Sequence, residues 1–509
     1  MTNPVPTARQ PPNDRYVAAA FVILVTLTRW PIFHRSVMDW DESLYFLMAG
    51  AWRAGHLPYT AIWDNKPVGI YAIFAVFQAL FGNQIAAMRL ATIAFVSLGA
   101  FAVYKITWAI NARRALTPAV LAGLLFIVGA MSNDGLSANT ELFMASITAL
   151  AVLTAVVPAK RPPLQAFVTG LLLGAAFMVK YVAMFEAPVI GLLLLSHYPW
   201  RKAFLLIPVA ISGAALPLLA TICLYWQAGQ LPLWWSASIA SNFRRIAVPV
   251  APHVLSYISA VEASRWGTLY LAAAIMAGLA AWQAWRIAQR RRADRSQIKQ
   301  IFLVLWLIAG LVGVASAKSF YDHYFLQILP VLCVTSGALL GLVKRGFALT
   351  ALALLMFSLP AIAAAAALWQ AAAPVLSFVQ FRPHWHQDEP AQIAADLAPQ
   401  IAGGSGCKLY VFDDQPISYA LTGQTPPTRF VFPSVLTTKA LAKVAGVDAP
   451  AELSRILALQ PRFIIRRIRP NTTPATANAA VYQRLDQTLA AHYRLWRVYQ
   501  EAEIYQRTN

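Results

Sequence analysis

The sequence predicts a polytopic, mostly α-helical membrane protein with a small α/β domain at its C-terminal end. Three observations lead to this fold class. The 509 residues are 59% hydrophobic and only 12% charged, whereas about a quarter of a typical soluble chain is charged. Apolar runs of membrane length recur along the chain, since about 17–25 residues cross a hydrocarbon core. After about residue 370 the composition changes to alternating strand-like and helical segments.

Eleven apolar runs predict about 11 transmembrane helices, with about 11–13 allowed by the length rule. The shortest, 164–179 and 183–197, are at the lower limit for a span. No small-residue cleavage site follows the first run, which is therefore predicted to be a retained anchor. The runs are roughly 16–33, 87–107, 115–131, 140–158, 164–179, 183–197, 203–225, 266–288, 299–316, 325–343 and 347–369.

The net charge of +20 is explained by membrane topology rather than by nucleic-acid binding. Lys and Arg gather in short linkers on alternate sides of the spans, and the positive-inside rule makes these linkers cytoplasmic. The N-terminus is then cytoplasmic, and the C-terminal domain is on the opposite, periplasmic side of a bacterial inner membrane. The linkers are 105–114, 160–161, 201–202, 286–299 and 344–345.

The segment 67–82 decides this topology, because counting it as a span would move every later basic linker to the outside. It is short and begins with a proline, which is compatible with the first turn of a helix. We interpret it as an interfacial helix in the outer leaflet. The first outer loop then extends from about 34 to 86 and keeps Asp41, Lys66 and Arg89 on one side.

Residues 1–370 are predicted to form the transmembrane domain and residues 371–509 a periplasmic α/β domain. Strand-like runs at 408–412 and 462–466 alternate with helical segments near 388–400, 436–445, 450–459 and 478–491. The run from Tyr493 to Tyr505 is rich in Tyr, Trp and Val, which favours strand.

Four carboxylates and a lysine gather in the first outer loop, within Asp39-Trp40-Asp41-Glu42 and Asp64-Asn65-Lys66. Near a dehydrated membrane surface a carboxylate such as Asp41 has a raised proton affinity and suits a general base. The alternative is that Asp41 and Glu42 are a solvated pair in the first turn of a helix. Lys66 either neutralises a phosphate leaving group or snorkels to the interface.

Further candidates come from other outer-side segments. Arg89 begins a span, where an arginine is costly unless it is paired or faces an aqueous cavity; Glu141 follows the same logic as a second acid, and Asp134 competes for that role. Arg244 and Arg245 either clamp a phosphate or contact lipid headgroups. No paired histidine or cysteine spacing predicts a metal site, so the need for a divalent metal stays open. The remaining predicted pocket residues are Lys180, Tyr181, Tyr321 and His323.

The run from Asp41-Glu42 through Trp63-Asp64-Asn65-Lys66-Pro67 to Arg89-Leu90 resembles the first outer loop of GT-C membrane glycosyltransferases. It is most similar to the branch of lipid A aminoarabinose transferases and polyprenyl-phosphate-mannose protein mannosyltransferases. The resemblance implies that Asp41 is the base, Lys66 binds the lipid phosphate and Glu141 is the second acid. Many relatives have an acid directly before the lysine, where this chain has Asn65, and that departure bears on any metal or sugar contact at this position.

The function predicted from these features is transfer of a sugar from a polyprenyl-phosphate donor to a hydroxyl or phosphate of an envelope acceptor, with inversion at the anomeric carbon. The acceptor is a lipid A, another glycolipid, a polysaccharide or a protein, and the other partners are membrane lipids. Asp41, Glu42 and Glu141 are the catalytic candidates. Two alternatives remain open: a transporter or flippase of a lipid-linked anion, and a non-catalytic envelope-assembly protein.

Overall fold

Apolar helices make up most of the chain in a computed structural model that describes residues 13–111, 115–246, 253–290, 295–343, 346–402 and 406–508. Within these ranges eight helices are long and apolar enough to cross a membrane. They are Asp14–His34, Ile85–Ile110, Pro162–Val179, Trp200–Gln227, Tyr257–Arg286, Ile298–Ser316, Asp322–Leu340 and Phe347–Ala372. The basic linker predicted at 344–345 lies outside the described residues, as do 112–114 and 291–294 of two other linkers.

Three further predicted spans form shorter apolar helices, Leu116–Gly129, Thr140–Ala155 and Tyr181–Leu195. The described helices and the terminal sheet confirm the predicted fold class, a polytopic helical membrane protein with a small α/β domain. The count of eleven spans stays a prediction, because these three helices are shorter than the usual spanning length.

Glycines allow a close approach between the helices Pro162–Val179 and Trp200–Gln227. A Cβ added at Gly170 or Gly174 would lie 1.9 or 2.2 Å from a carbonyl oxygen of the second helix. Small residues at such a crossing let two backbones pack directly against each other, which is a main source of helix association in membranes.

The first outer loop contains two helices, Trp40–Arg53 and Gly69–Phe81. The second of these coincides with the predicted interfacial helix; its placement at a leaflet stays a prediction. It buries Ile70, Tyr71 and Phe74 and exposes Val76 and Leu80. A Cβ at Gly69 would lie 2.4 Å from the carbonyl oxygen of Met178, so a glycine is required where this helix begins.

The outer segment between the fourth and fifth long helices also folds into short helices rather than an open loop. These are Leu231–Trp234, a π-helical turn Trp235–Ala240, and Ser241–Ile246, which carries both predicted arginines. The long helix Tyr257–Arg286 is kinked at Trp266, whose backbone is not helical (φ −125°, ψ 16°).

The C-terminal domain begins with a hairpin, β1 (Leu376–Val379) and β2 (Arg382–Trp385). A four-stranded sheet follows with the order β3-β4-β6-β5, formed by β3 (Leu409–Phe412), β4 (Phe463–Arg467), β5 (Tyr493–Val498) and β6 (Ala502–Arg507). Strands β3 and β4 are parallel, and β6 is antiparallel to both of its neighbours. The run from Tyr493 to Tyr505, predicted as strand, forms two antiparallel strands, because the chain reverses at 499–501.

The helices of this domain are Glu389–Ile401, Ile417–Thr422, Pro433–Thr437, Lys439–Ala445, Ala449–Ala458 and Ala479–His492. The domain packs directly on the first outer loop, and one hydrophobic cluster contains buried side chains from both. The carboxylate of Asp388 accepts hydrogen bonds from the backbone N–H and the hydroxyl of Ser36 (2.8 and 2.6 Å), and the Trp63 N–H donates to the Arg429 carbonyl (2.8 Å). The division at residue 370 stays a prediction.

Candidate active site

The first turn of helix Trp40–Arg53 sets the directions of three neighbouring acids. Asp39 is the N-cap, and its Oδ1 accepts a hydrogen bond from the Glu42 N–H (2.8 Å), as N-cap aspartates usually do. Asp41 and Glu42 follow in the first turn. Because consecutive residues of an α-helix differ by about 100° in direction, these two carboxylates face different surroundings.

Asp41 points to Lys66, which comes from the turn before helix Gly69–Phe81. The Lys66 Nζ lies 2.6 Å from Asp41 Oδ1 and 3.7 Å from Asp64 Oδ1. The Tyr71 hydroxyl donates to the other oxygen of Asp64 (2.8 Å), and the Tyr59 hydroxyl donates to the Lys66 carbonyl (2.6 Å). Aromatic hydroxyls therefore fix the turn, while the Lys66 side chain keeps 16% and the Asp41 side chain 18% of its exposure.

Burial and charge shift the pKa values of this group in opposite directions. Burial works against ionisation of Asp41, but the Lys66 ammonium outweighs it and holds the Asp41 pKa below its ordinary value. Burial also works against the charge on Lys66, whose pKa nevertheless stays above its usual range because Asp41 and Asp64 lie beside it. Burial raises the pKa of Asp64, and it raises that of Asp39 to about 7 with help from the Asp41 and Glu42 carboxylates.

Glu42 points away from this group into a closed interior. Its Oε2 accepts hydrogen bonds from Arg89 Nη1 (2.7 Å) and from the Ala138 N–H (2.9 Å), and its Oε1 accepts one from the Met38 N–H (2.9 Å). Both side chains of the Glu42–Arg89 pair are fully buried. Breaking such a pair is costly because the remaining charge has no partner.

A third acid–base group lies at the start of helix Thr140–Ala155. Glu141 Oε1 pairs with Lys180 Nζ, and its Oε2 accepts a hydrogen bond from the Thr140 hydroxyl (2.8 Å). His323 lies between two acids, with Nε2 3.8 Å from Glu141 Oε1 and Nδ1 3.7 Å from Asp134 Oδ2. Lys180 also lies over the Tyr324 ring, with its Nζ 3.7 Å from the ring centroid.

A polar cavity of about 430 Å³ lies between the N-terminal helical part of the chain and the C-terminal domain, and residues of both line it. Its membrane-side wall contains most of the residues described so far. From that side it is lined by Asp39, Trp40, Asp41, Trp63, Asp64, Asn65, Lys66, Asp134, Thr140, Lys180, Arg245, Tyr321, His323 and Tyr324. From the C-terminal domain it is lined by Gln415, Phe432, Ser434, Val435, Leu441, Arg467, Asn471 and Glu501.

A second, mostly apolar cavity of about 320 Å³ adjoins the first. Its apolar side chains are Pro67, Phe177, Val182, Met184, Phe185, Ile239, Phe243 and Ala317. Five residues line both cavities: Asn65, Lys66, Lys180, Arg245 and Tyr324. Three cationic side chains, Lys66, Lys180 and Arg245, therefore lie at the boundary between the apolar cavity and the polar cavity.

Comparisons with known proteins agree with this arrangement. A family model described as dolichyl-phosphate-mannose-protein mannosyltransferase matches residues 65–226. An undecaprenyl phosphate-alpha-4-amino-4-deoxy-L-arabinose arabinosyl transferase of Pseudomonas aeruginosa is 24% identical over 385 residues, or 71% of this chain and 65% of that protein. The chain thus spans just under two thirds of the length of the curated relatives it matches.

Solved structures extend the similarity to nearly the whole fold. ArnT from Cupriavidus metallidurans bound to undecaprenyl phosphate superposes with a TM-score of 0.62 at 13% identity, covering 96% of this chain and 97% of that chain. An oligosaccharyltransferase of Archaeoglobus fulgidus gives a TM-score of 0.54 at 10% identity, covering 97% and 74%.

The chain is thus similar in sequence to these arabinosyl transferases and shares the fold of ArnT.

Within this fold, eight of the thirteen predicted site residues line the polar cavity, and Tyr181 lines the apolar one. Tyr181 is held by a 2.5 Å hydrogen bond between its hydroxyl and that of Ser238. The eight are Asp41, Asp64, Lys66, Asp134, Lys180, Arg245, Tyr321 and His323. Their roles stay predictions, but the fold brings them together.

Four predicted residues are not brought to a cavity wall. Glu42 and Arg89 are buried against each other, and Glu141 is buried behind Lys180. Arg244 turns the opposite way from Arg245, because its Nε donates to the Val444 carbonyl of the C-terminal domain (2.9 Å). Arg245 instead lies within 3.3 Å of the Tyr324 hydroxyl. Any action of these four on a substrate would be through the residues in front of them.

Several cavity residues were not predicted from the sequence, and one signal could have found part of them. Gln415, Arg467 and Asn471 come at or just after the carboxyl ends of the parallel strands β3 and β4. In open α/β sheets, ligands bind at that edge. Tyr324 and Asn242 carry no comparable signal. Among the residues that the structure describes, no group of three or more His, Cys, Asp or Glu side chains is arranged to hold a metal ion.

Proposed function

We propose that this protein is a GT-C glycosyltransferase, which transfers a sugar from a polyprenyl-phosphate donor to an acceptor at the outer surface of the bacterial inner membrane. One observation carries the proposal: an apolar and a polar cavity share a wall that contains Lys66, Lys180 and Arg245. A lipid-linked sugar has an apolar chain, a phosphate and a polar ring in that order. The three regions of the site follow the same order.

Each region fits one part of the donor. The apolar cavity takes the first isoprene units between Phe177, Phe185 and Phe243. The phosphate binds at the shared wall, where ammonium and guanidinium groups form charge-assisted hydrogen bonds to its oxygens. The sugar then lies in the polar cavity, within reach of Asp41. The similarity to undecaprenyl phosphate-aminoarabinose arabinosyl transferases supports undecaprenyl phosphate as the lipid of the donor and an aminoarabinose as its sugar.

The reaction is a displacement at the anomeric carbon. The oxygen of the acceptor hydroxyl forms a bond to the anomeric carbon while Asp41 accepts the hydroxyl proton. At the same time the bond from the anomeric carbon to the phosphate oxygen breaks. The electron pair leaves with the polyprenyl phosphate, whose developing charge is stabilised by Lys66, Lys180 and Arg245. Attack from the face opposite the phosphate inverts the anomeric configuration.

Lys66 couples donor binding to the strength of the base. Before the donor binds, Lys66 holds the Asp41 carboxylate at 2.6 Å and keeps its pKa low, so Asp41 is ionised but weakly basic. When the phosphate recruits Lys66, Asp41 loses part of this stabilisation and its proton affinity rises. The base therefore becomes effective once the donor is in place.

Asp39 is a weaker candidate for the base although its pKa lies nearer neutrality. Its Oδ2 accepts hydrogen bonds from the Ser137 hydroxyl (2.7 Å) and the Asn139 amide (2.9 Å), and its Oδ1 is used by the helix cap. These donors occupy both oxygens. Asp39 thus orients the first turn of the helix, and Asp41 remains available to an acceptor.

Binding of undecaprenyl phosphate to the purified protein in nanodiscs tests the donor site. Arg245→Gln should weaken binding by about tenfold or more, since a charge-assisted hydrogen bond is lost. Arg244→Gln is the matched control, because the neighbouring arginine faces the C-terminal domain. Equal binding by both variants would remove Arg245 from the phosphate site. Sugar transfer in detergent, where no sealed compartment exists, separates this function from transport.

A further inference from the structure

The far end of the polar cavity is walled by the C-terminal domain and has a chemistry of its own. The C-terminal domain contributes Arg467, Gln415, Asn471 and Glu501 to it, and the first outer loop contributes Trp40, the first residue of helix Trp40–Arg53. The Arg467 guanidinium lies 5.9 Å from the Trp40 ring centroid, and the Phe432 ring meets the edge of Trp40 at 6.0 Å. Trp40 directly precedes Asp41, so this end of the cavity begins at the proposed base.

The direction of the reaction assigns this end to the acceptor. With the phosphate at the shared wall, the departing lipid lies on the side of the apolar cavity. A nucleophile that inverts the anomeric carbon must approach from the opposite side, next to Asp41. The acceptor group that carries the hydroxyl therefore lies against Trp40 and the C-terminal domain.

Charges at this end disfavour an anionic acceptor. The Arg467 Nη2 pairs with Glu501 Oε2 at 2.7 Å, and its Nη1 lies 3.9 Å from Asp414 Oδ1. Among the described residues that the C-terminal domain contributes to the cavity lining, Arg467 is the one cation, and it is matched by these carboxylates. A phosphate would have to displace Glu501 and then remain beside it, which is a repulsive arrangement.

A neutral hydroxylated ring meets no such obstacle. Its hydroxyls accept from the N–H groups of Arg467 and donate to Glu501 and to Gln415, whose buried Oε1 has no hydrogen-bond donor among the described residues. The half-buried Trp40 offers an indole face. The Gln415 amide and the Arg467–Glu501 pair supply both the donors and the acceptors that ring hydroxyls need. The Trp40 ring supplies an apolar surface for the C–H face of a sugar.

The strand topology strengthens the assignment. Gln415 follows β3 and Arg467 ends β4, and these two strands are parallel. Their carboxyl ends form the edge at which open α/β sheets bind ligands. The Asn471 N–H donates to Asp413 Oδ2 (3.1 Å), which ties together the two chain segments that leave this edge.

From these observations we infer that the far end of the polar cavity is an acceptor subsite for a neutral sugar ring, with Arg467, Gln415 and Trp40 determining specificity. The new bond is then a glycosidic bond to a sugar hydroxyl, and neither a glycosyl phosphate nor a link to serine or threonine. The inference rests on the proposed glycosyltransferase function and narrows its acceptor class.

The linkage made in the native host tests the acceptor class. Envelope components that gain a sugar in a wild-type strain, but not in a deletion strain, are isolated and treated with mild acid and, separately, with base that causes β-elimination. Retention of the sugar through both treatments is the expected result. Release by mild acid marks a glycosyl phosphate, release by base marks a serine or threonine link, and either overturns the inference. A wild-type strain that adds no sugar to any component would instead reject the proposed function itself.

Purified variants test the residues, with envelope extract of the deletion strain as the acceptor probe. Arg467→Gln and Gln415→Leu should each raise the apparent KM for the extract by about tenfold or more, as for one lost hydrogen bond to a charged or buried group. Binding of undecaprenyl phosphate should stay unchanged. The matched control is Arg466→Gln, because Arg466 neighbours Arg467 but pairs with Asp486 (2.7 Å) outside the cavity. If Arg467→Gln and Gln415→Leu both behave like this control, the subsite is not where we place it.

Discussion

Two ion pairs that begin one residue apart on the same helix differ in almost every physical respect. Asp41–Lys66 lies in a cavity wall and keeps part of its exposure, whereas Glu42–Arg89 is fully buried and is also bonded to backbone N–H groups. The first pair can exchange partners with a substrate. The second has no access to one, and its geometry is fixed from several sides. On the proposed function, these adjacent residues of like charge have separate roles, Asp41 in the reaction and Glu42 in holding the fold.

The comparison is tested most strongly by Asp41→Asn. Removing a general base lowers the transfer rate by about 10²–10⁴-fold, while the fold should stay intact because the Asp41 side chain is partly exposed. The measurement is turnover of the lipid-linked donor together with the thermal unfolding midpoint. A variant that folds and transfers at the wild-type rate would remove Asp41 from the base role.

Arg89→Met should act on stability and not on chemistry. It leaves the Glu42 carboxylate buried without its cation, which costs about 3–5 kcal/mol in comparable buried pairs. The expected result is a marked fall of the unfolding midpoint in detergent. Adding Glu42→Leu removes the orphaned charge and should recover part of the loss. If the double variant is no more stable than Arg89→Met, the pair is not the cause.

Glu141→Gln sharpens the comparison, because the Glu141–Lys180 pair has one member in the wall and the other behind it. Lys180 keeps its charge and is no longer held by a carboxylate, so it stays available to the lipid phosphate. Transfer should fall by less than about tenfold, the loss of roughly one hydrogen bond. A loss as large as that of Asp41→Asn would make Glu141 a base or acid of the reaction itself.

Asp39 gives the smallest and pH-dependent effect. Burial and the neighbouring carboxylates raise its pKa in the folded protein to about 7, so the folded state binds this proton more tightly than the unfolded chain. Its contribution to stability is present at acidic pH and is lost as the pH rises through about 7. The drop in unfolding midpoint between pH 5 and pH 8 should therefore be smaller in Asp39→Asn than in the wild type. If the unfolding midpoint of Asp39→Asn falls by as much as that of the wild type, the pH dependence comes from other groups.

Much of the membrane architecture could be predicted from the sequence because lipid imposes a simple rule on helix length and charge. Asp41 and Lys66 could be found for a related reason: ionisable residues are scarce in this chain, so a dense cluster is conspicuous. The wall of cations shared by the two cavities could not be predicted from the sequence in this way. Lys66, Lys180 and Arg245 come from three distant segments, and only the packing of those segments joins them.

Side-chain direction could not be predicted for neighbouring residues. Arg244 and Arg245 look equivalent in sequence, yet the Val444 carbonyl of the C-terminal domain holds one and the Tyr324 hydroxyl contacts the other. Glu42 looks as available as Asp41 until its backbone donors are seen. In each case the deciding partner lies far away in the chain.

Trp40, held between Arg467 and Phe432, has a consequence for the ancestry of such proteins. Replacing the C-terminal domain with that of a homologous protein would change the contacts of the Trp40 indole and so the position of the neighbouring Asp41. A change in the acceptor that the C-terminal domain binds would then require a matching change in the helical turn that contains Asp41. The two halves would be expected to diverge in step rather than to be shuffled as independent modules.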